Sequence, residues 1–163
     1  MNIIVLGAGA FGTAIANELS VNTDNKVLLY SRNQKKVDEI NNYNTNTTCF
    51  PNKRLTKNLH ATTDSNSISS AEIILIALPS NVVMDSLSSL RPYFNKDVLL
   101  VNLSKGLLES GTSIVEKIKV SFKTDNIVTL KGPSFSSEVI EHADTILTLG
   151  YSTKKQYDII NTI

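Results

Sequence analysis

The feature that most constrains the fold is the opening of the chain, where an apolar run meets a glycine-rich turn. Ile3-Ile4-Val5-Leu6 leads directly into Gly7-Ala8-Gly9-Ala10-Phe11-Gly12, and residues 13–19 are compatible with a helix. A β-branched run, a G-x-G-x-x-G turn and a helix together predict a strand-turn-helix unit that binds a dinucleotide. The alternative is a turn with a purely structural role, because glycine-rich turns are common.

The three glycines have separate roles in such a unit. Gly7 permits the tight turn, Gly9 lets the backbone approach a pyrophosphate, and Gly12 lets the helix pack closely on the strand. The helix then presents unpaired N–H groups and the positive end of its dipole to the phosphates.

Length, charge and composition exclude several classes of protein. The 163 residues suffice for one domain with a core, and a net charge of +1 with few aromatic residues gives no indication of nucleic-acid binding. The single cysteine, Cys49, excludes an internal disulfide and fits a reducing compartment. With only His60 and His142 besides it, no metal-ligand cluster is expected.

Targeting and membrane signals are absent from the sequence. No basic region precedes the first apolar run, as it would in a signal peptide, and no apolar stretch approaches the roughly 18 to 20 residues of a membrane span. We therefore expect a soluble cytoplasmic protein.

Strand and helix patterns alternate along the rest of the chain. The uninterrupted apolar run within residues 72–78 is typical of a central parallel strand that is buried on both faces. The alternation predicts an α/β fold, a Rossmann-type doubly wound, mainly parallel sheet with helices on both faces. Further strands are predicted at residues 26–30, 59–63, 97–103, 126–130 and 145–149, and helices at 34–42, 82–90, 113–122 and 154–163.

Residues 42–58 are rich in Asn and Thr, a composition typical of a low-complexity linker. Because Phe50, Pro51 and Leu55 interrupt it, we expect instead a loop that lies on the domain.

The end of the second strand bears on cofactor choice. A carboxylate there typically accepts hydrogen bonds from the ribose of NAD, whereas an arginine accommodates the 2′-phosphate of NADP. This strand ends in Ser31-Arg32-Asn33 without a carboxylate, which favours NADP(H) over NAD(H). Alternatively, Arg32 is a solvated loop residue that tolerates either cofactor.

Two later strands also end in polar turns, at the edge where open α/β sheets bind ligands. Lys105 lies in Ser104-Lys105-Gly106, and although a lone lysine is usually solvated, its position favours a functional role. Ser134 follows Gly132-Pro133, where its hydroxyl can cap a helix or donate to an oxyanion.

Taken together, these motifs resemble the N-terminal, cofactor-binding half of bacterial NAD(P)-dependent glycerol-3-phosphate dehydrogenase. They occur in the family's order and span nearly the whole chain. The matching stretches are Gly7-Ala-Gly-Ala-Phe-Gly12, Cys49-Phe-Pro51 with Leu55, Asn58-Leu-His-Ala-Thr62, Ala77-Leu-Pro-Ser80, Leu103-Ser-Lys-Gly-Leu107 and Lys131-Gly-Pro-Ser-Phe-Ser-Ser-Glu138.

The resemblance implies reversible hydride transfer between dihydroxyacetone phosphate and sn-glycerol 3-phosphate, for phospholipid synthesis. It implies cofactor contacts at Ala10, Phe11, Arg32 and Ser136, besides the glycines. It also implies that Lys105 contacts both cofactor and substrate and that Gly132 and Ser134 contact the substrate, with no metal.

The chain departs from the family pattern in two places. Cys49-Phe50 replaces the family's more usual aromatic–leucine pair before the proline. The family's second, mostly helical domain, with a further lysine as proton donor, has no counterpart before Ile163. We therefore expect residues 1–163 to be a Rossmann domain that is incomplete at its C-terminal end and catalytically incomplete alone, as a piece of a longer protein or a truncated product.

Two other functions are compatible with parts of the sequence. One is a stand-alone NADPH-binding module without catalysis, and the other is a dehydrogenase of the same fold acting on a hydroxy acid. The Gly132-Pro-Ser-Phe135 stretch argues against the second, since the resemblance places it on the substrate side. A homodimer is compatible with either assignment.

Overall fold

The computed structural model describes residues 1–108 and 110–163, which fold around a seven-stranded sheet. The strands are β1 (Asn2–Leu6), β2 (Lys26–Tyr30), β3 (His60–Thr62), β4 (Ile73–Ile76), β5 (Leu99–Asn102), β6 (Ile127–Lys131) and β7 (Thr148–Gly150). Their order is β3-β2-β1-β4-β5-β6-β7, in which β7 pairs antiparallel with β6 and every other pair is parallel. The predicted mainly parallel, doubly wound sheet is confirmed.

Helices cover both faces of this sheet. Along β1, Ile3 and Val5 belong to one apolar cluster, whereas Ile4 and Leu6 belong to the other, as the two-residue period of a strand requires. A strand with both faces buried must be apolar throughout, which explains the uninterrupted run in β4. The helices are α1 (Ala10–Leu19), α2 (Gln34–Tyr43), α3 (Ser80–Leu90), α4 (Ile114–Phe122), α5 (Ser136–Val139) and α6 (Lys154–Ile160), with 3-10 turns at Ser65–Ser70 and Arg91–Tyr93.

Several boundaries differ from the sequence predictions. Helix α1 begins at Ala10, inside the glycine motif, because Gly9 already serves as its N-cap. The last strand lies at Thr148–Gly150 and not at 145–149; it is a short edge strand with weak burial, so no hydrophobic pattern fixes its position. The strands predicted at residues 72–78 and 97–103 are both longer than β4 and β5, which the structure confines to Ile73–Ile76 and Leu99–Asn102.

Residues 42–58 lie on the domain, as predicted. Phe50 and Leu55 are buried in the cluster that also contains Ile3 and Val5. The backbone N–H of Thr56 donates to Asn17 Oδ1 of α1 at 2.7 Å, which ties the segment to the first helix.

Candidate functional site

The carboxyl ends of the parallel strands meet at one edge of the sheet, and the polar turns singled out in the sequence lie along it. The glycine turn follows β1, Arg32 follows β2, Lys105 follows β5, and Gly132 follows β6. Because the intervening strand pairs are all parallel, the topology places these turns at a common edge, where doubly wound sheets bind ligands.

Gly7 and Gly12 tolerate no side chain at their positions. Gly7 has a φ of +108°, and a Cβ there would lie 2.6 Å from the carbonyl oxygen of Ala77. A Cβ on Gly12 would lie 2.0 Å from the carbonyl oxygen of Gly7. Helix α1 therefore starts in direct contact with the turn that precedes it.

Gly9 is in the opposite situation. It is exposed, and nothing lies within 4 Å of the position that its Cβ would take. As the N-cap of α1 it offers no capping side chain, and the first turn contains no acidic residue. The start of α1 thus combines unpaired backbone N–H groups, a positive dipole end and open space, as a phosphate group requires. Ala10 and Phe11, next in the chain, are half-buried and pack on the core.

The carbonyl oxygen of Ala8, inside the glycine turn, is the centre of a polar cluster that sequence reasoning missed. Lys36 Nζ donates to it at 3.0 Å and Asn46 Nδ2 lies 3.3 Å away, while Cys49 Sγ lies at 3.9 Å. Asn46 is fully buried and also donates to Thr13 Oγ1 at 2.9 Å. In the described part of the chain its Oδ1 has no hydrogen-bond partner.

Lys36 lies in the first turn of α2, four residues after Arg32, so the sequence places it near the end of β2 but does not show that it reaches the Ala8 carbonyl. Asn46, by contrast, lies in an Asn- and Thr-rich stretch and carries no distinguishing signal.

Glu39 holds the segment that carries Asn46. Its Oε1 accepts hydrogen bonds from the Thr47 N–H at 2.6 Å and from Thr45 Oγ1 at 3.0 Å. The Thr47 backbone N–H is the main cause that lowers the pKa of the Glu39 carboxyl below its ordinary value, with smaller contributions from the Thr side chains and Lys36.

Arg32 is exposed and lies between Ser31 and Asn33, whose side chains each accept a hydrogen bond from a backbone N–H. The Asn33 N–H donates to Ser31 Oγ at 3.1 Å, and Asn33 Oδ1 caps α2 by accepting from the Lys36 N–H at 3.3 Å. Lys36 therefore brings its ammonium to the glycine turn, while Arg32 is exposed just beyond the end of β2.

The turn with Lys105 is anchored at Ser104, which is 2% exposed. The Ser104 N–H donates to Asn102 Oδ1 at 3.1 Å, and its Oγ donates to the carbonyl oxygen of Ile76 at 3.3 Å. Lys131 Nζ donates to the Ser104 carbonyl oxygen at 2.6 Å. Lys105 itself is exposed and precedes Gly106, whose φ is +80°.

The turn after β6 packs tightly against residues 146 and 147. A Cβ on Gly132 would lie 2.3 Å from the carbonyl oxygen of Ile146, to which Ser134 Oγ donates at 3.0 Å. Of the two roles predicted for the Ser134 hydroxyl, the helix cap is wrong, because Phe135 is the N-cap of α5. Because the Ser134 hydroxyl already donates its hydrogen, it can only accept from another group. Ser136 is the first residue of α5, which packs against α1.

A cavity of about 580 Å³ lies beside β6, lined by Asn102, Lys131 and Thr148 among others. A second cavity, of about 510 Å³, lies at the opposite, amino-terminal edge of the sheet, beside Asn2 and Lys26. Strand direction therefore associates only the first cavity with the candidate site.

Within residues 1–108 and 110–163, no group of three or more His, Cys, Asp or Glu side chains could hold a metal ion. No helix in the same residues is long and apolar enough to cross a membrane.

Residues 2–157 match the family model for the NAD-dependent glycerol-3-phosphate dehydrogenase N-terminus. The chain belongs to this family. Glycerol-3-phosphate dehydrogenase [NAD(P)+] of Mesoplasma florum is 32% identical over 158 residues, which are 93% of this chain and 47% of that protein. The enzyme of the same name from Neorickettsia sennetsu is 33% identical over 161 residues, 98% of this chain and 48% of that protein.

Solved structures of glycerol-3-phosphate dehydrogenases share the fold. That from Coxiella burnetii superposes with a TM-score of 0.87 at 26% identity, covering 98% of this chain and 50% of that chain. That from Plasmodium falciparum gives a TM-score of 0.89 at 22% identity, with 98% and 48% coverage. The chain thus spans about half the length of its glycerol-3-phosphate dehydrogenase relatives.

The glycine turn of this glycerol-3-phosphate dehydrogenase family member fits a dinucleotide. Gly9 leaves open the space that a side chain would fill, and α1 begins without a side-chain cap. These are the features that a pyrophosphate needs.

Proposed function

We propose that this chain is the cofactor-binding half of a glycerol-3-phosphate dehydrogenase, which reversibly reduces dihydroxyacetone phosphate to sn-glycerol 3-phosphate for phospholipid synthesis. The observation that carries the proposal is the open, uncapped start of α1 at the same sheet edge as Lys105. A purely structural turn would not need the empty space over Gly9.

In this proposal the cofactor lies along the glycine turn and the substrate lies at the ends of β5 and β6. Two groups of residues take part. The cofactor contacts are Gly7, Gly9, Ala10, Phe11, Gly12, Arg32, Lys105 and Ser136, and the substrate contacts are Lys105, Gly132 and Ser134.

The bound nicotinamide would supply or accept the hydride, and residues of the chain would stabilise the charge that develops on the substrate. Reduction of a ketone develops negative charge on its oxygen, which the ammonium of Lys105 stabilises. Ser134 contributes as a hydrogen-bond acceptor for a substrate hydroxyl, since its own hydrogen is held by Ile146.

Residues 1–163 would form a single NAD(P)-binding domain that is incomplete at its C-terminal end. The relatives are about twice as long as the matched region, which supports a further part of the chain, and we propose that this part carries the proton donor. The piece alone would then bind the cofactor without turning over substrate.

We propose that NADP(H) is preferred to NAD(H). Arg32 is exposed two residues beyond Tyr30, whose carbonyl oxygen accepts from the Gly7 N–H, while Lys36 reaches the carbonyl of Ala8 and β2 does not end in a carboxylate. A 2′-phosphate is stabilised by such cations through charge-assisted hydrogen bonds, whereas a free ribose hydroxyl gains little from them.

Thermal unfolding of this chain with no ligand, with NADH and with NADPH tests both parts. A ligand that binds only the folded state at 100 times its Kd stabilises it by about 2.7 kcal/mol. We expect stabilisation by both nucleotides, larger with NADPH at equal concentration, and none with nicotinamide mononucleotide, which lacks the adenosine half.

If neither NADH nor NADPH changed the thermal stability of the chain, cofactor binding would be contradicted. If both stabilised the chain equally, only the preference for NADP(H) would be contradicted.

A further inference from the structure

The turn that carries Lys105 is held by a cation from the neighbouring strand. Lys131, the last residue of β6, is half-buried, and its Nζ donates to the Ser104 carbonyl oxygen at 2.6 Å. In the parallel ladder Asn102 pairs with Thr129, so Ser104 and Lys131 each lie two residues beyond a paired position. Because the ends of β5 and β6 lie side by side, the Lys131 ammonium reaches the Ser104 carbonyl oxygen.

The Ser104 carbonyl belongs to the peptide bond that leads into Lys105. Because a peptide unit is planar, an ammonium that fixes this carbonyl also fixes the Lys105 N–H and the direction in which Lys105 leaves the turn. The other anchors of Ser104, its N–H and its Oγ, hold the residue from β5 and β4, and among residues 1–108 and 110–163 the hydrogen bond that fixes this peptide plane comes from Lys131.

Lys131 also connects this turn to the one that follows β6. It immediately precedes Gly132, whose backbone is confined by the close approach of the Ile146 carbonyl. A cation that joins Ser104 to this confined strand end therefore fixes the two turns relative to each other.

We propose that Lys131 is a positioning residue for Lys105: it holds the 104–106 turn so that the Lys105 ammonium meets its ligand in the right place. The inference rests on the proposed function, in which Lys105 contacts the cofactor. In this role Lys131 acts on Lys105 through the backbone carbonyl of Ser104.

The first test needs no ligand and measures backbone order by ¹⁵N relaxation. In Lys131→Met the heteronuclear NOE of Lys105 and Gly106 should fall, and Lys131→Arg, which keeps a cationic donor, should restore part of it. Lys117→Met, a change at an exposed lysine on α4, is the matched control and should leave the turn unchanged. Unchanged NOE values in Lys131→Met would overturn the proposal whether or not the chain binds a nucleotide.

The second test asks whether Lys131 acts through Lys105. The Kd for NADPH is measured in the wild-type chain, in Lys131→Met, in Lys105→Ala and in the double variant. Loss of a charged hydrogen bond that orients a ligand group should raise Kd about three- to tenfold in the Lys105 background. In the Lys105→Ala background the same change should have no effect.

An equal loss in both backgrounds would overturn the positioning role, because Lys131 would then act on the ligand or on the fold directly. Thermal unfolding of each variant without ligand separates these two cases. Failure of the wild-type chain to bind NADPH would contradict the proposed function, and the relaxation data would still decide whether Lys131 holds the turn.

Discussion

At the scale of single residues, Gly9 and Gly12 show that glycines of one motif carry different constraints. Gly12 packs against the carbonyl of Gly7, whereas the Cβ position of Gly9 is open. Gly12 is therefore required by the fold, whereas Gly9 is required only if a ligand occupies the space over it.

Alanine at these two positions should separate stability from binding. Gly12→Ala should destabilise the chain by about 1 to 3 kcal/mol or more, because its Cβ meets backbone that cannot move aside. Gly9→Ala should leave the free energy of unfolding within about 0.5 kcal/mol, since it meets nothing, yet weaken NADPH binding. Chemical denaturation and nucleotide titration check the two effects, and normal NADPH affinity in folded Gly9→Ala would contradict a pyrophosphate at this position.

Arg32 and Lys36 should set the choice between the two cofactors. Arg32→Ala should weaken NADPH binding by about 1 to 3 kcal/mol while leaving NADH binding nearly unchanged, because only NADPH carries the 2′-phosphate. Lys36→Met should act in the same direction, with some additional loss for both cofactors because its Nζ also holds the Ala8 carbonyl.

Lys35→Ala is the matched control, because Lys35 is an exposed neighbour in the first turn of α2. Calorimetric titration of each variant with both nucleotides measures the effect. Equal losses for NADH and NADPH in Arg32→Ala would show that this guanidinium does not read the 2′-phosphate.

At the scale of elements, the Glu39 carboxylate holds residues 45–47, which follow α2, against the glycine turn. Glu39 accepts from Thr45 and Thr47, and Asn46 between them reaches the Ala8 carbonyl. The segment therefore couples α2 to the start of α1.

The lowered pKa of Glu39 gives this coupling a defined pH dependence. Since the folded state prefers the ionised carboxylate, its stabilisation is present above the unfolded value of 4.5 and is lost as the pH falls through the lower folded pKa. Glu39→Gln should remove this part of the acid dependence and cost about 1 kcal/mol at neutral pH, because a half-exposed carboxylate is screened by water. Denaturation curves between pH 3 and 7 check the prediction, and parallel pH profiles for the two proteins would contradict it.

At the scale of the whole molecule, the sheet edge gathers turns from four strands, in a chain that spans about half the length of its relatives. Lys105 is exposed on this edge.

In a version extended to the length of the relatives, Lys105→Ala should lower kcat/KM by about 100-fold or more, because developing charge on the substrate oxygen would lose its cation. The fold should persist, since the Lys105 side chain is exposed. Steady-state kinetics with dihydroxyacetone phosphate and NADPH measure the loss, and circular dichroism verifies the fold. A Lys105→Ala enzyme with full activity would refute the assigned role.

The sequence by itself determined the strand-turn-helix start, the order of elements and the common edge of the site, because these depend on local signals. Apolar runs mark buried strands, glycines mark turns, and parallel strands bring their carboxyl ends together whatever the remaining contacts are. Helix α1 and strands β1, β2 and β6 were therefore predictable to within a few residues, whereas the weakly patterned edge strand β7 was displaced.

Only the tertiary structure decided which polar groups secure that edge. Lys36 and Asn46 meet the Ala8 carbonyl across 28 and 38 residues of chain, Lys131 meets Ser104 across 27, and Ser134 meets Ile146 across 12. Such contacts depend on strand order and on how a loop packs. The identity of a single polar residue in a sequence does not indicate which carbonyl it will contact. For that reason a helix cap was one of the two roles predicted for Ser134, although it does not form that cap, and Lys131 was not distinguished from a surface lysine.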